Sequence, residues 1–501
     1  MDRKEIIKRG KKLKYLLGID FGGGASKATL IDEMGNITAE STAEYPTLYP
    51  EQGACEQSPD DWIAALCKNT SELLEKSGIN PADILCIAVD SATHTFLPCD
   101  NNFAPLMNAV HWTDTRSRAE ANALRRENGD EIFKKTFHKP DTIWTLPQLL
   151  WLKNNRPEVF SKIGHIFFEK DYIRYFLTGV FCTDYIEAQG SMLYDCVSQK
   201  WSDEMCDLCG IDISVLPPIV APTDVIGKIQ ESAAQKTGLT AGTPVICGTT
   251  DTCMEVFASG ATQKGDITVK LATAGRICVI TDKPYPDRDL VNYSHIAKGL
   301  WYPGTATKAC AASYRWYRDT FGGDYKELDA AAAKIPIGCE GMIYHPYLNG
   351  ELSPYADPML CGSFTGIRAT HTRAHFTRAV LEGVCYSLLD SKAVLDKLGI
   401  EYGSVAAAIG GGTKGELWRQ MTADVLGITL KTTISSDSSL GSAMLAGIAA
   451  GVFKDPLDAV AKCVKPKSVT VPNPENTEKY RKVFLEYKKI HDALAPIYGA
   501  R

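Results

Sequence analysis

The hydrophobic pattern at the start of the chain predicts a strand, a turn and a second strand. Residues 15–20 form an apolar run that ends in a carboxylate, and residues 21–27 are a turn of mostly small side chains. A second apolar stretch, Ala28 to Ile31, follows at once, and after another turn a third strand begins at Ile37. Strands joined by such short turns pair in antiparallel fashion. The chain is therefore predicted to open as an antiparallel meander that delivers Asp20 to a turn.

The same pattern recurs in the second half of the chain. Residues 267–272 are apolar, residues 273–276 form a small-residue turn, and residues 277–280 are apolar again. Two similar hairpins that each begin a domain imply a duplicated architecture, in which loops from both halves meet one ligand in a cleft. Two unrelated hairpins would give the same pattern, so this observation alone leaves coincidence open.

Two further stretches predict helices. Residues 147–153 have helical character, and residues 475–494 carry apolar side chains at a spacing of three and one. This spacing places the apolar residues on one face of a helix. We expect the second helix to pack on the second domain through Tyr480, Val483, Phe484, Tyr487 and Ile490.

Length and charge narrow the class of protein. A chain of 501 residues exceeds what one hydrophobic core supports, which predicts two large domains. The 45% of hydrophobic residues suffices for two cores. The 60 acidic and 54 basic residues are well mixed and give a net charge of -6. No basic face for a phosphate backbone is expected, so nucleic acid is not an expected partner.

The cysteines and the length of the apolar segments bear on the cellular location of the protein. Sixteen cysteines are scattered without the spacing of a disulfide framework, which indicates reduced thiols in a reducing compartment. The one CxxC, Cys206 with Cys209, has no second pair at the distance of a zinc finger, and we interpret it as two buried thiols. No window is long and apolar enough to span a membrane. We expect a cytoplasmic protein that binds no membrane, and interpret Met1 to Lys14 as a solvated basic tail.

The glycine-rich turn after the first strand raises the possibility of a phosphate-binding loop, because backbone N–H groups approach phosphate where no Cβ intervenes. A Walker A loop is excluded, since Ser26 rather than glycine precedes Lys27 and Ala28 follows it. The dinucleotide fingerprint is excluded as well, since Lys27 stands at its third glycine and a strand follows. The turn at this point is either a phosphate site or a purely structural turn.

Three other segments suggest chemistry, although helix packing explains each of them as well. The apolar run 244–247 ends in small residues and Asp251, which we expect at a loop tip suited to a general base. Residues 408–414, followed by 416–426, predict a strand, a glycine-rich turn and an amphipathic helix, where a nucleobase or phosphate could lie against the backbone. Residues 440–447 predict a small-residue helix able to pack close to such a turn.

Four motifs of the chain occur in the order and spacing of FGGY carbohydrate kinases, and the chain most resembles the xylulokinase branch. The stretch GGGTKGELWRQMTAD, residues 410–424, is the most specific. The resemblance covers residues 15–452 through Leu17 to Asp20, Cys247 to Asp251, His345 to Pro354 and Ile409 to Asp424.

The resemblance implies an α/β protein with two ribonuclease-H-like domains of the actin and hexokinase superfamily, flanking a catalytic cleft. It places an N-terminal tail at residues 1–14 and the FGGY N-terminal domain, which binds sugar and contains the first phosphate turn, at 15–258. The FGGY C-terminal domain, which binds ATP, follows at 259–455, and a helical extension occupies 456–501.

The resemblance also implies roles in phosphoryl transfer from ATP with Mg²⁺, a reaction that depends on positioning and charge neutralisation. Asp251 would accept the proton of the sugar hydroxyl and Asp20 would hold Mg²⁺, through water. The residues implied to bind ATP are Asp20, Gly22, Gly23, Lys27, Thr273, Gly275, Gly411, Gly412 and Lys414. The residues implied to grip the sugar are His94, Trp112, Asp114 and Asp251, with core packing as the alternative for Trp112.

Two departures from the family pattern affect the prediction. Gly23 and Gly24 stand where relatives carry hydroxyl side chains, and Ala92 to Thr95 replace a Gln-Met-His-Gly sequence while keeping His94. The sugar is therefore open between D-xylulose or another pentulose and ribulose, gluconate or glycerol. A non-catalytic sugar- or nucleotide-binding protein on the same scaffold is the less favoured alternative, and a homodimer is possible.

Overall fold

The computed structural model describes residues 12–499, so residues 1–11 of the predicted N-terminal tail lie outside the described residues. The chain forms two compact units. The first contains the described residues up to Gly260, together with Tyr293–Lys298 and Ser435–Val464. The second contains Ala261–Asn292, Gly299–Ile434 and the described residues from Lys465 onward.

Within residues 12–499 the strands, in chain order, are β1 Tyr15–Phe21, β2 Ala25–Asp32, β3 Ile37–Glu44, β4 Glu56–Gln57, β5 Ile84–Ser91, β6 Phe96–Cys99, β7 Ala109–Val110, β8 His165–Phe168, β9 Thr183–Asp184, β10 Tyr194–Asp195, β11 Lys200–Trp201, β12 Ile219–Val220, β13 Val225–Lys228, β14 Pro244–Ile246, β15 Ile267–Leu271, β16 Gly275–Val279, β17 Gly304–Thr307, β18 Ile343–His345, β19 Ser363–Thr365, β20 Val405–Ile409, β21 Thr429–Thr433 and β22 Pro466–Thr470.

The α-helices of the same residues are α1 Pro59–Ser77, α2 Arg118–Glu127, α3 Gly129–Thr136, α4 Thr145–Asn155, α5 Pro157–Phe160, α6 Glu169–Thr178, α7 Tyr185–Gly190, α8 Asp203–Cys209, α9 Glu231–Thr237, α10 Asp251–Ala258, α11 Ala311–Phe321, α12 Tyr325–Ala332, α13 Arg373–Lys397, α14 Glu416–Leu426, α15 Ser438–Ala449, α16 Pro456–Cys463 and α17 Pro474–Gly499. Short 3-10 helices occupy Pro81–Asp83, Ile213–Val215, Cys339–Gly341 and Gly411–Lys414.

The two units contain main sheets of one topology. In the first unit the order is β13-β14-β5-β1-β2-β3, where β1, β2 and β3 are antiparallel and β5 and β14 continue the sheet in parallel. In the second unit the order is β17-β16-β15-β20-β21-β22, again with an antiparallel three-stranded meander followed by two parallel strands. An antiparallel edge strand, β13 or β22, completes each sheet. The predicted duplication is confirmed.

Helix α15 belongs to the first unit because its small residues allow close contact with that unit's backbone. A Cβ on Gly18 of β1 would lie 2.0 Å from the carbonyl oxygen of Ser439. A Cβ on Gly441 would lie 2.2 Å from the carbonyl oxygen of Met254 in α10. The sequence predicts this helix in the C-terminal domain, beside the turn at 410–415, whereas the structure packs it on β1 and α10. Helix α16 also lies in the first unit.

The C-terminal helix α17 packs on the second unit, as its apolar spacing predicts. Tyr480 and Tyr487 are fully buried members of the second core, and Val483, Phe484 and Ile490 pack against that core. The tyrosine hydroxyls have partners: Tyr487 bonds Tyr347 at 2.8 Å, so burying these rings leaves no phenol unsatisfied there.

None of the sixteen cysteines, all of which lie within the described residues, forms a disulfide. Cys206 and Cys209 are buried thiols of α8, as predicted. Across the described chain, no group of three or more His, Cys, Asp or Glu side chains is arranged to hold a metal ion. No helix within residues 12–499 combines the length and apolar character needed to cross a bilayer.

Candidate active site

The first unit gathers carboxylates where β1 and β5 end. Asp20 of β1 and Asp90 of β5 face each other in register on neighbouring parallel strands. Both side chains are buried, and Oδ1 of each has no hydrogen-bond donor. Ser442 of α15 donates to Asp90 Oδ2 at 2.5 Å. Asp90 does not figure among the predicted site residues, although it ends an apolar strand just as Asp20 does.

Burial and neighbouring charges perturb these acids. Burial is the main cause that raises the pKa of Asp20 to about 7, and the charges of Asp251 and Asp437 raise it further while Lys27 opposes them. Burial likewise raises the pKa of Asp90 well above its usual range, with Asp20 adding to the effect. Strongly perturbed acids in one place are typical of functional sites.

Lys27 is the cation beside this group. It lies opposite Asp20 across the first hairpin, and its ammonium contacts Asp437 Oδ2 at 2.9 Å. Although burial opposes the charge, Asp437 and Asp20 raise the pKa of Lys27. Lys27 therefore stays charged beside the first glycine turn.

Asp251 does not stand at a loop tip as expected. It is the first residue of α10, where the preceding Thr250 caps the helix by accepting a hydrogen bond from Cys253 N. Its Oδ1 accepts from Thr252 N at 2.5 Å and from Thr93 Oγ1 at 3.3 Å. A helix N-terminus holds a carboxylate more firmly than a loop does, because N–H groups and the helix dipole favour negative charge there.

A buried ionic network supports the segment before Asp251. Thr249 Oγ1 donates to Asp184 Oδ1 at 2.8 Å, and the ammonium of Lys170 lies 2.9 Å from Asp184 Oδ2. Lys170 also contacts Asp171 at 2.6 Å, and all three charged side chains are buried. Burial opposes its charge, but the two carboxylates raise the pKa of Lys170. Breaking one ion pair of such a network would leave a buried charge uncompensated, which is strongly destabilising. The network therefore fixes the segment before Asp251 in place.

The first glycine turn is open to larger side chains. None of Gly22, Gly23 and Gly24 has a positive φ. An added Cβ would meet nothing closer than 3.7 Å at Gly22 or Gly24, and 3.9 Å at Gly23. Tyr45 donates its hydroxyl to the Gly22 carbonyl, and Thr47 Oγ1 donates to the Gly23 carbonyl at 2.5 Å. The carbonyls are thus bonded to protein, while the glycines are not needed for the backbone conformation.

His94 is held in a special position of the same unit. The backbone φ of His94 is 53°, and its backbone N–H donates to Glu187 Oε1 at 2.5 Å. The ring lies 4.9 Å from Trp144, and Nδ1 is buried without a partner. Burial, reinforced by His138 and His111, lowers the pKa of His94 well below its usual value. The ring is therefore neutral and has hydrogen-bonding capacity left for a ligand.

The other two predicted sugar residues differ in their surroundings. Trp112 is 38% exposed, so core packing does not explain it. Asp114 is buried and committed: Oδ2 accepts from Cys55 N at 2.8 Å, and the Arg116 guanidinium contacts it at 2.8 Å. Both carboxylate oxygens therefore accept bonds inside the protein, including one from Arg116 N to Oδ1 at 2.9 Å, and a role of Asp114 in sugar binding stays a prediction.

The second unit contains its own hairpin turn, at residues 272–274. Thr273 is exposed at this turn, and its carbonyl accepts from Cys310 N at 3.0 Å. Gly275 N donates to Thr307 Oγ1 at 3.0 Å. The predicted role of Gly275 as an amide donor to phosphate is therefore not supported, because that N–H is already used. Its lack of a side chain matters instead, since a Cβ would lie 2.8 Å from Thr307 Oγ1.

A cavity of about 920 Å³ opens beside this turn in the second unit. Thr273, Gly411, Gly412 and Lys414 line it, as predicted for a nucleotide site. The volume of this cavity falls within the range of small-molecule binding pockets. Its remaining wall comes from α11, α12 and the start of α14, through Tyr314, Arg315, Tyr325, Lys326, Asp329, Glu416 and Trp418 among others.

The glycine-rich turn of the cavity is shaped by close packing. Gly410 has a φ of 89°, and a Cβ there would lie 2.6 Å from the carbonyl oxygen of Leu271. A Cβ on Gly412 would lie 2.8 Å from the Trp418 ring, whereas one on Gly411 would meet nothing within 4 Å. The backbone of this turn is thus pressed against β15 on one side and left open at Gly411 on the other.

Two family models match the chain, both for the FGGY family of carbohydrate kinases. The model of the N-terminal domain matches residues 15–258, and the model of the C-terminal domain matches residues 245–450. The chain belongs to the FGGY family of carbohydrate kinases.

Relatives of this kinase carry the names of different sugars. Xylulose kinase of Bacillus subtilis (strain 168) is 31% identical over 486 residues, which cover 96% of this chain and 97% of that protein. The solved ligand bound xylulose kinase of Lactobacillus acidophilus matches with a TM-score of 0.92 at 28% identity, covering 97% of this chain and 100% of the other. The gluconate kinase of the same organism also matches with a TM-score of 0.92 at 28% identity, covering 98% and 100%.

Sequence reasoning missed the side wall of the cavity in this kinase. Tyr314 of α11 donates its hydroxyl to Asp329 of α12 at 2.6 Å, and its ring lies 5.9 Å from Trp418. The aromatic run around Tyr314 and the Tyr325 that opens α12 were available as signals. Their apolar faces are also typical of core packing, so spacing alone does not mark them as ligand contacts.

Proposed function

We propose that this carbohydrate kinase transfers the γ-phosphoryl group of ATP to a hydroxyl of a ketose, namely a pentulose such as D-xylulose. The observation that carries the proposal is Asp251, a half-buried carboxylate fixed at the start of α10 in the unit that also contains Asp20 and His94. A protein that only bound sugar would not need a proton acceptor held in this way.

Asp251 acts in this proposal as the general base. The sugar hydroxyl gives its proton to the carboxylate as its oxygen attacks the γ-phosphorus, which contributes about 10²–10⁴-fold to the rate. The Thr93 hydroxyl, 3.3 Å from Asp251 Oδ1, and the N-terminus of α10 orient the base.

Asp20 would hold Mg²⁺. The fit is supported by Asp20 Oδ1, a buried carboxylate oxygen that lacks a donor, since a hard cation prefers such oxygen ligands. When bound, the cation would neutralise charge on the phosphates. Lys27 would add positive charge at the same turn. Gly22 N already donates to the Ala25 carbonyl at 3.0 Å, so Gly23 N is the backbone donor proposed here for phosphate.

The adenosine of ATP would occupy the cavity of the second unit. Gly411 leaves the backbone open, and Tyr314 and Tyr325 offer aromatic surface to a base. Lys414 and the Thr273 hydroxyl, both exposed at the cavity, would contact phosphate. Proximity and charge neutralisation supply most of the catalysis in such transfers.

His94 and the exposed Trp112 would contact the sugar. The neutral His94 ring can donate to or accept from a hydroxyl in either tautomer. The names of relatives include both xylulose and gluconate kinases, so the preferred sugar is part of the proposal. We also propose a reducing compartment such as the cytoplasm, in line with the unpaired thiols, and a homodimer remains a prediction.

The test is an ADP-release assay with Mg-ATP and a panel of D-xylulose, ribulose, other ketoses, gluconate and glycerol, using wild type and His94→Ala. We expect a pentulose to give the highest kcat/KM and His94→Ala to lower it by about 10-fold or more, as loss of a buried hydrogen-bonding group predicts. Highest activity on gluconate or glycerol would overturn the ketose proposal. No ADP release with any sugar would favour a binding protein.

A further inference from the structure

Asp90 is the deepest carboxyl group of the acidic group in the first unit, and the proposed function leaves it without a role. It is completely buried at the end of β5, in register with Asp20 on β1. Ser442 donates to Oδ2 and thereby fixes the orientation of the carboxyl group. The two carboxyl groups lie within hydrogen-bonding distance of each other, and Oδ1 of each accepts no hydrogen bond from any other group.

Two facing carboxyl groups need positive charge between them. Burial in a medium of low polarity makes an unpaired carboxylate costly, and a like charge at contact distance adds to that cost. Lys27 does not supply that charge alone, because its ammonium is bonded to Asp437 at 2.9 Å. Either a proton shared by the two groups or a cation bound by both would satisfy the unpaired oxygens.

We propose that Asp90 is a second carboxylate ligand of the divalent cation, so that Asp20 and Asp90 bind one such ion before the nucleotide arrives. The inference rests on the proposed function for the role of Asp20. Magnesium-like cations take one or two carboxylates and complete their shell with water and substrate phosphate. A pair of acids fits that demand.

The surroundings favour a cation at this pair. The charges of Asp251 and Asp437 both act on Asp20, and Asp251 also acts on Asp90. Each adds to the attraction for a cation, an effect that is strong where solvent is excluded. Ser442 keeps Asp90 from turning away, because its hydroxyl is itself buried on α15 next to β1.

The experiment is a titration of the purified full-length chain with Mn²⁺ in the absence of nucleotide and sugar, followed by the electron paramagnetic resonance signal of free Mn²⁺. We expect wild type to bind one Mn²⁺ per chain. Asp90→Asn and Asp20→Asn should each weaken this binding by about 10-fold or more, the size of effect seen for groups that support a metal site. Melting temperatures of the metal-free variants show that the fold is intact.

Glu40→Gln is the matched control, because it removes one negative charge from β3 of the same sheet but lies outside the pair. It should bind Mn²⁺ within about twofold of wild type, as expected for a partly solvated charge. Asp90→Ser is measured alongside in case Asp90→Asn fails to fold.

Two results would overturn the proposal: no stoichiometric Mn²⁺ binding by wild type without nucleotide, which means that a proton alone joins the acids, or unchanged binding in both Asp90 variants. The titration needs neither sugar nor turnover. Failure of the ADP-release assay would therefore leave this inference standing, and its failure would leave the kinase proposal standing.

Discussion

In the first unit β1 brings Asp20 beside Asp90 of β5, whereas at the matching place in the second unit β15 brings Lys270 beside Ile409 of β20. Across the two hairpins Asp20 faces Lys27, and Lys270 faces Arg276. The strand order is the same, but one sheet presents acids at this point and the other presents bases. The fold determines the positions of these side chains, and the residue type at each position determines what it can bind. Acidic side chains bind a cation or a proton, and basic side chains bind phosphate.

The turns of the two hairpins differ in a similar way. In the second unit the carbonyls of Ala272 and Thr273 accept bonds from the start of α11, at 2.8 Å from Ala311 N and 3.0 Å from Cys310 N. In the first unit side chains, those of Tyr45 and Thr47, hold the turn. We infer that the second turn is braced by a helix and that the first depends on side chains for its order.

The largest effect should come from replacing Asp251, the proposed general base in the first unit. Asp251→Asn removes proton acceptance but keeps the shape of the side chain, so we expect kcat to fall by about 100-fold or more while the KM for ATP changes little. Steady-state kinetics on the best sugar would measure it. Asp203→Asn is a suitable control, because Asp203 is also the first residue of a capped helix but is exposed on α8. Activity of Asp251→Asn within threefold of wild type would refute the assignment.

The next effect concerns the second unit alone. In Gly412→Ala the new Cβ would lie 2.8 Å from Trp418 and 2.9 Å from the Leu271 carbonyl oxygen, so the turn must move. We expect the KM for ATP to rise by about 10-fold, as misplacement of a substrate by an ångström typically costs 10²-fold or less, while the KM for the sugar stays constant. Gly411→Ala, with nothing within 4 Å, should keep the melting temperature of wild type. A raised KM for the sugar in Gly412→Ala would place the turn elsewhere in the mechanism.

Some of this arrangement could be predicted from sequence and some could not. Both hairpins follow from apolar runs separated by small residues, and α17 follows from its apolar spacing. Asp251 was misplaced because Gly248 to Thr250 suggest a loop, although a Thr followed by Asp is also a helix start. The pairing of Asp114 with Arg116, two residues on, could also be anticipated from their opposite charges. Asp90 and the aromatic wall near Tyr314 depend on which strands and helices become neighbours, which spacing does not reveal.

The pH dependence of stability offers a third test, since each unit buries an acid whose pKa is raised to about 7. Burial raises the pKa of Asp20 to about 7, and burial also raises that of Glu351 to about 7. A raised pKa means that the folded state keeps a proton which the unfolded state has lost. The stability contributed is therefore full below about pH 4 and is lost as the pH rises through about 7.

We expect the metal-free protein to lose melting temperature over this range, and either Asp20→Asn or Glu351→Gln to reduce the slope. The two variants should behave alike. Glu351 Oε1 accepts bonds from Lys308 N and Leu352 N, and the oxygen of Gln can keep both. The Ser387 hydroxyl, which bonds Oε2, can turn to accept from the Gln amide, so both variants replace a protonated acid and should cost little. Thermal unfolding between pH 4 and 8 measures both, and parallel curves for wild type and both variants would contradict the expectation.

The smallest expected effect lies in the first turn, at Gly23. No positive φ is needed there, and the nearest atom to a new Cβ, His111 Nε2, is 3.9 Å away, so Gly23→Thr fits without strain. The hydroxyl can donate to phosphate, but it replaces water at an exposed position, so only part of the usual gain of about 1.5–3 kcal/mol is realised.

We therefore expect Gly23→Thr to lower the KM for ATP by about two- to fivefold and to raise the melting temperature slightly, because threonine restricts the unfolded chain. Gly23→Val has the same shape without the hydroxyl and should show only the change in melting temperature. An equal fall in KM for Val would mean that shape rather than hydrogen bonding is responsible. A higher KM for Thr would mean that the phosphate approaches the backbone at Gly23 too closely for any side chain, so that the first turn binds through N–H groups alone.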